Sequence, residues 1–275
     1  MSQHPLRTSL IILLPIIIGL FIVHIIFFND TLIENFVAGL LTEIIGIVIT
    51  LIFVQRLFDR NDERKSRIAE QQKILRADRV VQLLMIQYIN FMFHMTTSYH
   101  DLDKENPSLE HNFTFLDFKN VYNRCLLLSQ NTKRSSVSLF LQTEVELRNL
   151  FVSLLQNIDF YFSTELSDML LDFINTSFSL ETREGILANE KNELGKMITE
   201  GLEKSGNDYL KSIREGKPWP SNAMYPYAQL FLMVTKEKEI LLKYQSTIDI
   251  IRQSNSQKRK LAGIRKKRCM AEVKK

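Results

Sequence analysis

The sequence predicts an all-α protein: an N-terminal two-helix transmembrane hairpin followed by a helical cytoplasmic domain. Three observations carry this. Residues 9–28 hold no charged side chain, and residues 36–54 hold only Glu43. Beyond Arg56, apolar residues recur at helical spacing among charged ones. An alternating strand pattern is missing, and so are Asn-Gly and Asp-Gly turns. The predicted organisation is a hairpin over 1–58, a charged helical stalk over 59–73, a helical domain over 74–254 and a basic tail over 255–275.

The first span, residues 9–28, reads SLIILLPIIIGLFIVHIIFF. As a helix it is about 30 Å long, the thickness of a bilayer core. A cleaved signal peptide is the competing reading. Its apolar region is shorter, about 7–15 residues, and no A-x-A site follows here. Pro15 and Gly19 are tolerable in a lipid-embedded helix. Asn29, Asp30 and Thr31 form a turn that leaves room only for a tight antiparallel hairpin. That turn region holds Asp30 and Glu34 and no Lys or Arg, whereas Arg7 precedes span one and Arg56, Arg60, Arg64, Lys65 and Arg67 follow span two. The excess of positive charge places both termini in the cytoplasm and the short turn outside.

The second span, residues 36–58, carries a polar stripe. Gly39, Glu43, Gly46 and Thr50 follow the 3-4-4 spacing of a helix face, with Thr42 beside them. Small residues let helices approach closely in lipid, and a carboxyl at this depth rarely faces acyl chains. Two readings of Glu43 stand: a pore-lining or proton-sensitive group in a homo-oligomer, or a carboxyl that hydrogen-bonds across helices and fixes their packing. Both imply a helix–helix contact through span two, between chains.

The stalk, RLFDRNDERKSRIAEQQK, continues this helix without Gly or Pro. Arg56 with Asp59, and Asp59 with Arg64, partly offset its like-charge pairs. Further helices are expected from Leu75 to Tyr99, Asp117 to Gln130, Ser138 to Phe162, Thr164 to Phe178, Thr182 to Arg214 and Ala228 to Ile251. Gly185, Gly195, Gly201 and Gly206 weaken the fifth of these. The phenylalanines between residues 91 and 178 are expected in the core. The domain is therefore a bundle of five to seven helices.

Chemistry is sparse. Phosphate-binding glycine loops, zinc-protease and nucleophile-elbow motifs are all missing. His94, His100 and His111 lie near Asp101, Asp103, Glu105 and Glu110, but their spacing matches no ligand pattern. The chain is thus read as neither an enzyme nor a cofactor or metal protein, and no small-molecule substrate is identified. Cys125 and Cys269 form no C-x-x-C pair. Trp219, between Pro218 and Pro220, is suited to anchor a partner or to cap the bundle. The net charge of +4 is concentrated in the tail, where Lys258, Arg259 and Lys260 form one cluster and Arg265, Lys266, Lys267 and Arg268 another. Besides a mobile solvated terminus, two uses compete: adhesion to anionic lipid and contact with nucleic-acid phosphates.

A hairpin with a Glu-bearing second span (AGLLTEIIGIVIT), a charged stalk and a helical domain without catalytic motifs resembles the two-transmembrane effectors of bacterial anti-phage systems, in particular the transmembrane effectors that accompany some retrons. The resemblance implies a toxin of abortive infection. It stays quiet until infection is sensed, then perturbs the inner membrane, with a reverse transcriptase–nucleic acid complex as partner. The alternative is a membrane-tethered scaffold or adaptor that recruits partners through Trp219 and the tail.

Overall fold

The computed structural model describes the backbone of residues 18, 19, 22, 31–124, 134–217 and 222–272, and the side chains of these except 31–38, 41 and 257–272. All of the described regular structure is helical: α1 (Thr31–Thr96), α2 (Ser136–Asn157), α3 (Thr164–Phe178), α4 (Arg183–Asn189), α5 (Glu193–Arg214) and α6 (Tyr225–Glu272), with short 3-10 segments at Phe115–Asn120 and Asn222–Met224. The all-α class stands. The chain divides into two compact units, Met1–Ala69 and Glu70–Lys275, and α1 contributes residues to both.

In the first unit, span one lies outside the described residues except for Ile18, Gly19 and Ile22. Span two and the stalk belong to one uninterrupted helix. Among the described residues no helix is long and apolar enough to cross a membrane. Glu43 and Arg56 bracket twelve uncharged residues, about 18 Å of helix against a hydrocarbon core of about 30 Å. In the stalk, Asp59 accepts from Gln55 Nε2 at 3.2 Å, and Asp62 pairs with Lys65 at 3.4 Å. Both partners of that pair are exposed, so it contributes little.

In the second unit, local sequence explains the helix ends. Ser135 caps α2, its hydroxyl accepting from Ser138 N at 3.3 Å. The expected helix over 182–214 is broken at residues 190–192. Gly195 sits just after that break because a Cβ there would lie 2.2 Å from the Asn189 carbonyl oxygen. It permits the α4 end to approach α5 rather than merely weakening the helix. Gly216, at φ 65°, closes α5: its N–H reaches Ile213 O at 3.1 Å, and Lys217 N–H reaches Ser212 O at 2.9 Å. Of the helix expected over 117–130, residues 117–124 are described and are not α-helical: the 3-10 segment Phe115–Asn120 runs into a turn, and Arg124 forms an isolated antiparallel bridge with Ser135. The last helix runs well past Ile251, through the basic tail to Glu272. No proline and one glycine interrupt that stretch.

The core is aromatic. Tyr88 of α1 packs on Phe140 of α2 at 4.8 Å between centroids and on Phe173 of α3 at 6.4 Å. Phe151 links Phe173 to Tyr244 of α6. Phe115, Phe118 and Phe231 form a second group beneath α5. Most of the phenylalanines between 91 and 178 are buried; Phe178 is exposed.

Candidate functional site

Within the first unit, Gly39, Thr42, Glu43, Gly46 and Thr50 are all exposed on α1. The Thr50 hydroxyl donates to Gly46 O at 2.8 Å, which satisfies it within its own helix. A Cβ at Gly39 or Gly46 would meet nothing within 4 Å. Among the described residues, no packing therefore requires glycine at either place. Around this stripe the apolar side chains are exposed too. Ile45, Ile47, Ile49, Leu51, Ile52, Phe53, Val54, Leu57 and Phe58 all face outward, Phe53 by 63%. Nine consecutive-turn exposures of large apolar groups leave this helix without a water-compatible side.

Trp219, with Pro218 and Pro220, lies outside the described residues. Lys258, Arg259, Lys260, Arg265, Lys266, Lys267 and Arg268 lie on the helical backbone of α6, beyond the Ile251 end expected for that helix. Their side chains lie outside the described residues.

The histidine region resolves into structural contacts. His111 Nδ1 lies 3.2 Å from Glu105 Oε2, and its Nε2 lies 3.3 Å from Thr97 Oγ1. His94 is buried, and burial lowers its pKa from the usual imidazole value. Among the described residues no group of three His, Cys, Asp or Glu could hold a metal ion.

Two buried polar clusters went unseen in the sequence. In the first, Glu144 of α2 and Glu237 of α6 are both fully buried. The Arg183 guanidinium pairs with Glu144 and donates to Ser177 O at 2.8 Å. Tyr88 donates to Glu237 Oε2 at 2.9 Å. Burial, and next the charge of Glu144, raise the Glu237 carboxyl well above its ordinary range. Acceptor faces acceptor where the two carboxyls meet, and a proton held on Glu237 turns that contact into a hydrogen bond. In the second cluster, Asp78 of α1 accepts from Tyr244 at 3.0 Å and from Gln82 at 3.2 Å, and it pairs with Arg252. Both clusters clamp α6 to other helices. The first is buried except for part of Arg183, the second reaches solvent through the half-exposed Arg252, and the small cavity beside Tyr244 is lined almost wholly by apolar groups such as Ile74, Leu154 and Leu170. One signal was available in the sequence: an acid on an otherwise apolar helix face, as at Asp78 between Ile74 and Val81.

Compared with protein-family models, with curated proteins and with solved structures, the chain has no match.

Proposed function

We propose that the chain is a membrane-anchored effector of a bacterial antiviral system, one that perturbs the inner membrane when an infection trigger releases it. The single observation that carries this reading is the first unit's helix surface: large apolar groups exposed on all sides, interrupted by one polar stripe. A helix apolar all round belongs in lipid or inside a protein core. The described stretch between Glu43 and Arg56 is too short to cross alone. Counted from Asn35 to Gln55, with Glu43 as its only charge, the segment has 21 residues, about 31 Å of helix. A crossing in this reading therefore takes Glu43 into the bilayer. There it meets another helix or a water-filled lumen, because facing acyl chains costs a few kcal/mol. Span one would complete the hairpin.

Two spans enclose no channel, so leakage requires several copies joined through Gly39, Thr42, Glu43, Gly46 and Thr50. The basic clusters of α6 suit a ribonucleoprotein or anionic lipid as the restraining partner.

The test follows a membrane-potential dye in infected cells that carry the chain with its genomic neighbours. Glu43→Leu is expected to abolish depolarisation and protection; if both persist, the stripe has no such role. Replacing the hairpin with an unrelated two-span anchor is expected to abolish function as well, whereas a passive tether would survive the exchange.

A further inference from the structure

Within the second unit, two helices end in exposed faces of opposite charge. On α1, Lys73, Arg76 and Arg79 lead into Val80, Leu83 and Ile86, all six on the outer side of the helix. Leu83 is 65% exposed. Among the described residues none of these three cations is in an ion pair. The one acid on this stretch, Asp78, points inward to Tyr244 and Arg252. On α3, Glu165, Asp168 and Asp172 share the outer face with Leu171 and Phe178, the latter 63% exposed, and Asn175 lies between them. The α3 helix has no basic residue. Arg148 stacks on the Phe178 ring at 4.3 Å, and Arg183 donates to Ser177 O at 2.8 Å.

The two faces match in length and in order. Lys73 to Ile86 and Glu165 to Phe178 each cover 13 residue steps, about 20 Å of helix. In both, charge occupies the N-terminal half and the last large apolar group the C-terminal end. Laid side by side in the same direction, Lys73 meets Glu165, Arg76 meets Asp168, and Ile86 meets Phe178. Laid in opposite directions, Lys73 meets Phe178, Arg76 meets Asn175, and only Arg79 meets an acid, Asp172, while Leu83 and Ile86 fall on Asp168 and Glu165. Within one protomer α1 and α3 already run the same way: Glu70 accepts from Phe162 N at 3.0 Å, and further along Tyr88 packs on Phe173. A rotation axis along these helices therefore brings the basic face of one copy against the acidic face of the next with the helices parallel.

We propose that copies of this chain associate through these faces, α1 of one protomer lying parallel to α3 of its partner. The apolar ends supply the attraction, and the charges set partner and direction, since like faces repel. A second copy is favoured over lipid or nucleic acid because either of those would satisfy the basic face and leave the acidic one uncovered. One helix against one helix is small beside the ~1,600 Å² of a standard interface, so the contact is reversible. The inference stands apart from the effector reading, because a tether could pair in the same way.

The test is crosslinking of the full chain in intact cells. Two tagged copies are made together in a Cys125→Ser, Cys269→Ser background and treated with a permeant bis-maleimide. Leu83→Cys on one copy and Asn175→Cys on the other are expected to give a mixed-tag dimer. Ile86→Cys with Thr164→Cys, adjacent only in the opposite direction, are expected to give at least about fivefold less. Arg76→Glu with Arg79→Glu on the first copy should cut the Leu83–Asn175 product by about tenfold. Asp168→Lys with Asp172→Lys on the second copy should restore it, which a merely misfolded variant could not do. Equal yields from both pairs, no mixed dimer, or loss without rescue would each overturn the proposal. So would a Leu83→Cys thiol shielded from maleimide by anionic membranes while no dimer forms, since the face would then be a lipid surface. None of these outcomes depends on whether the membrane is depolarised.

Discussion

Replacing Glu237 with glutamine separates two carboxyls that are equally hidden from water. Glu144 and Glu237 are each fully buried, yet only Glu144 holds a guanidinium. Burial, and then Glu144, raise the Glu237 pKa above the ordinary value of 4.5. The folded chain therefore keeps a proton that the unfolded chain releases once the pH exceeds about 4.5. With more protons bound when folded, stability falls as pH rises from there toward the folded pKa, by up to about tenfold in the folding equilibrium per pH unit. Glutamine mimics the protonated acid: its carbonyl accepts from Tyr88 and its amide donates to Glu144. Near pH 5, Glu237→Gln should therefore lie within about 1 kcal/mol of the parent. At pH 8 it should be the more stable of the two. Glu144→Gln removes the partner of a mostly buried arginine and should cost about 3 kcal/mol throughout. The assay is thermal unfolding of the full chain in detergent, followed by circular dichroism at a series of pH values. Other titrating groups cancel in the difference between variant and parent. Equal losses for the two variants at pH 5, or a difference for Glu237→Gln that does not change with pH, would refute a proton held on Glu237.

Substitutions at three further positions probe the same unit. Asp78→Ala strands the Tyr244 hydroxyl and should cost about 2–3 kcal/mol, while Asp78→Asn, which still accepts from Tyr244, should cost less than half of that; denaturant midpoints distinguish them. Gly195→Ala should destabilise by about 1–3 kcal/mol, although alanine is the better helix former, because its Cβ must displace the Asn189 carbonyl; a gain in melting temperature would contradict this. For His94 the sign is opposite to that of Glu237. Its lowered folded pKa means that the unfolded chain binds the extra proton, so stability falls as pH drops below about 6.5 toward that value. His94→Asn should flatten this acid-side decline in melting temperature between pH 5 and 7.

The parts of the fold that could be read from residues are those that depend on local periodicity. The span Thr164–Phe178 coincides with the expected helix because Leu166, Leu170, Phe173 and Ile174 mark one buried face and Ser163 and Ser179 flank it. Where tertiary contact decides, reading failed. Nothing local says that residues 190–192 interrupt a helix; the break exists because α4 returns close enough to α5 for the Asn189 carbonyl to need the space at Gly195. In the stalk, for a related reason, spacing does not say which charges pair. Several exposed partners at i,i+3 and i,i+4 differ by a few tenths of a kcal/mol, less than spacing alone can rank.

The candidate sites divide along the same line. The polar stripe of Gly39, Thr42, Glu43, Gly46 and Thr50 is a property of a single helix, so spacing was enough to find it. The Glu144–Arg183–Glu237–Tyr88 cluster joins residues up to 149 positions apart, and no spacing rule connects them. The basic and acidic faces of α1 and α3 are intermediate: each can be read from its own helix, but only the fold establishes that the rest of the unit leaves both uncovered. Large apolar groups in water are retained against a steady free-energy cost. That cost is removed only when something covers them, and among the described residues such groups are exposed in several places, two of them beside the Glu43 stripe and beside the opposed charges. If the first unit crosses a membrane as proposed and copies meet at these two places, the first contact lies in lipid and the second outside it. Reversing Arg76 and Arg79 would then weaken assembly without touching the stripe, and Glu43→Leu would alter the membrane contact while leaving the Leu83–Asn175 crosslink in place.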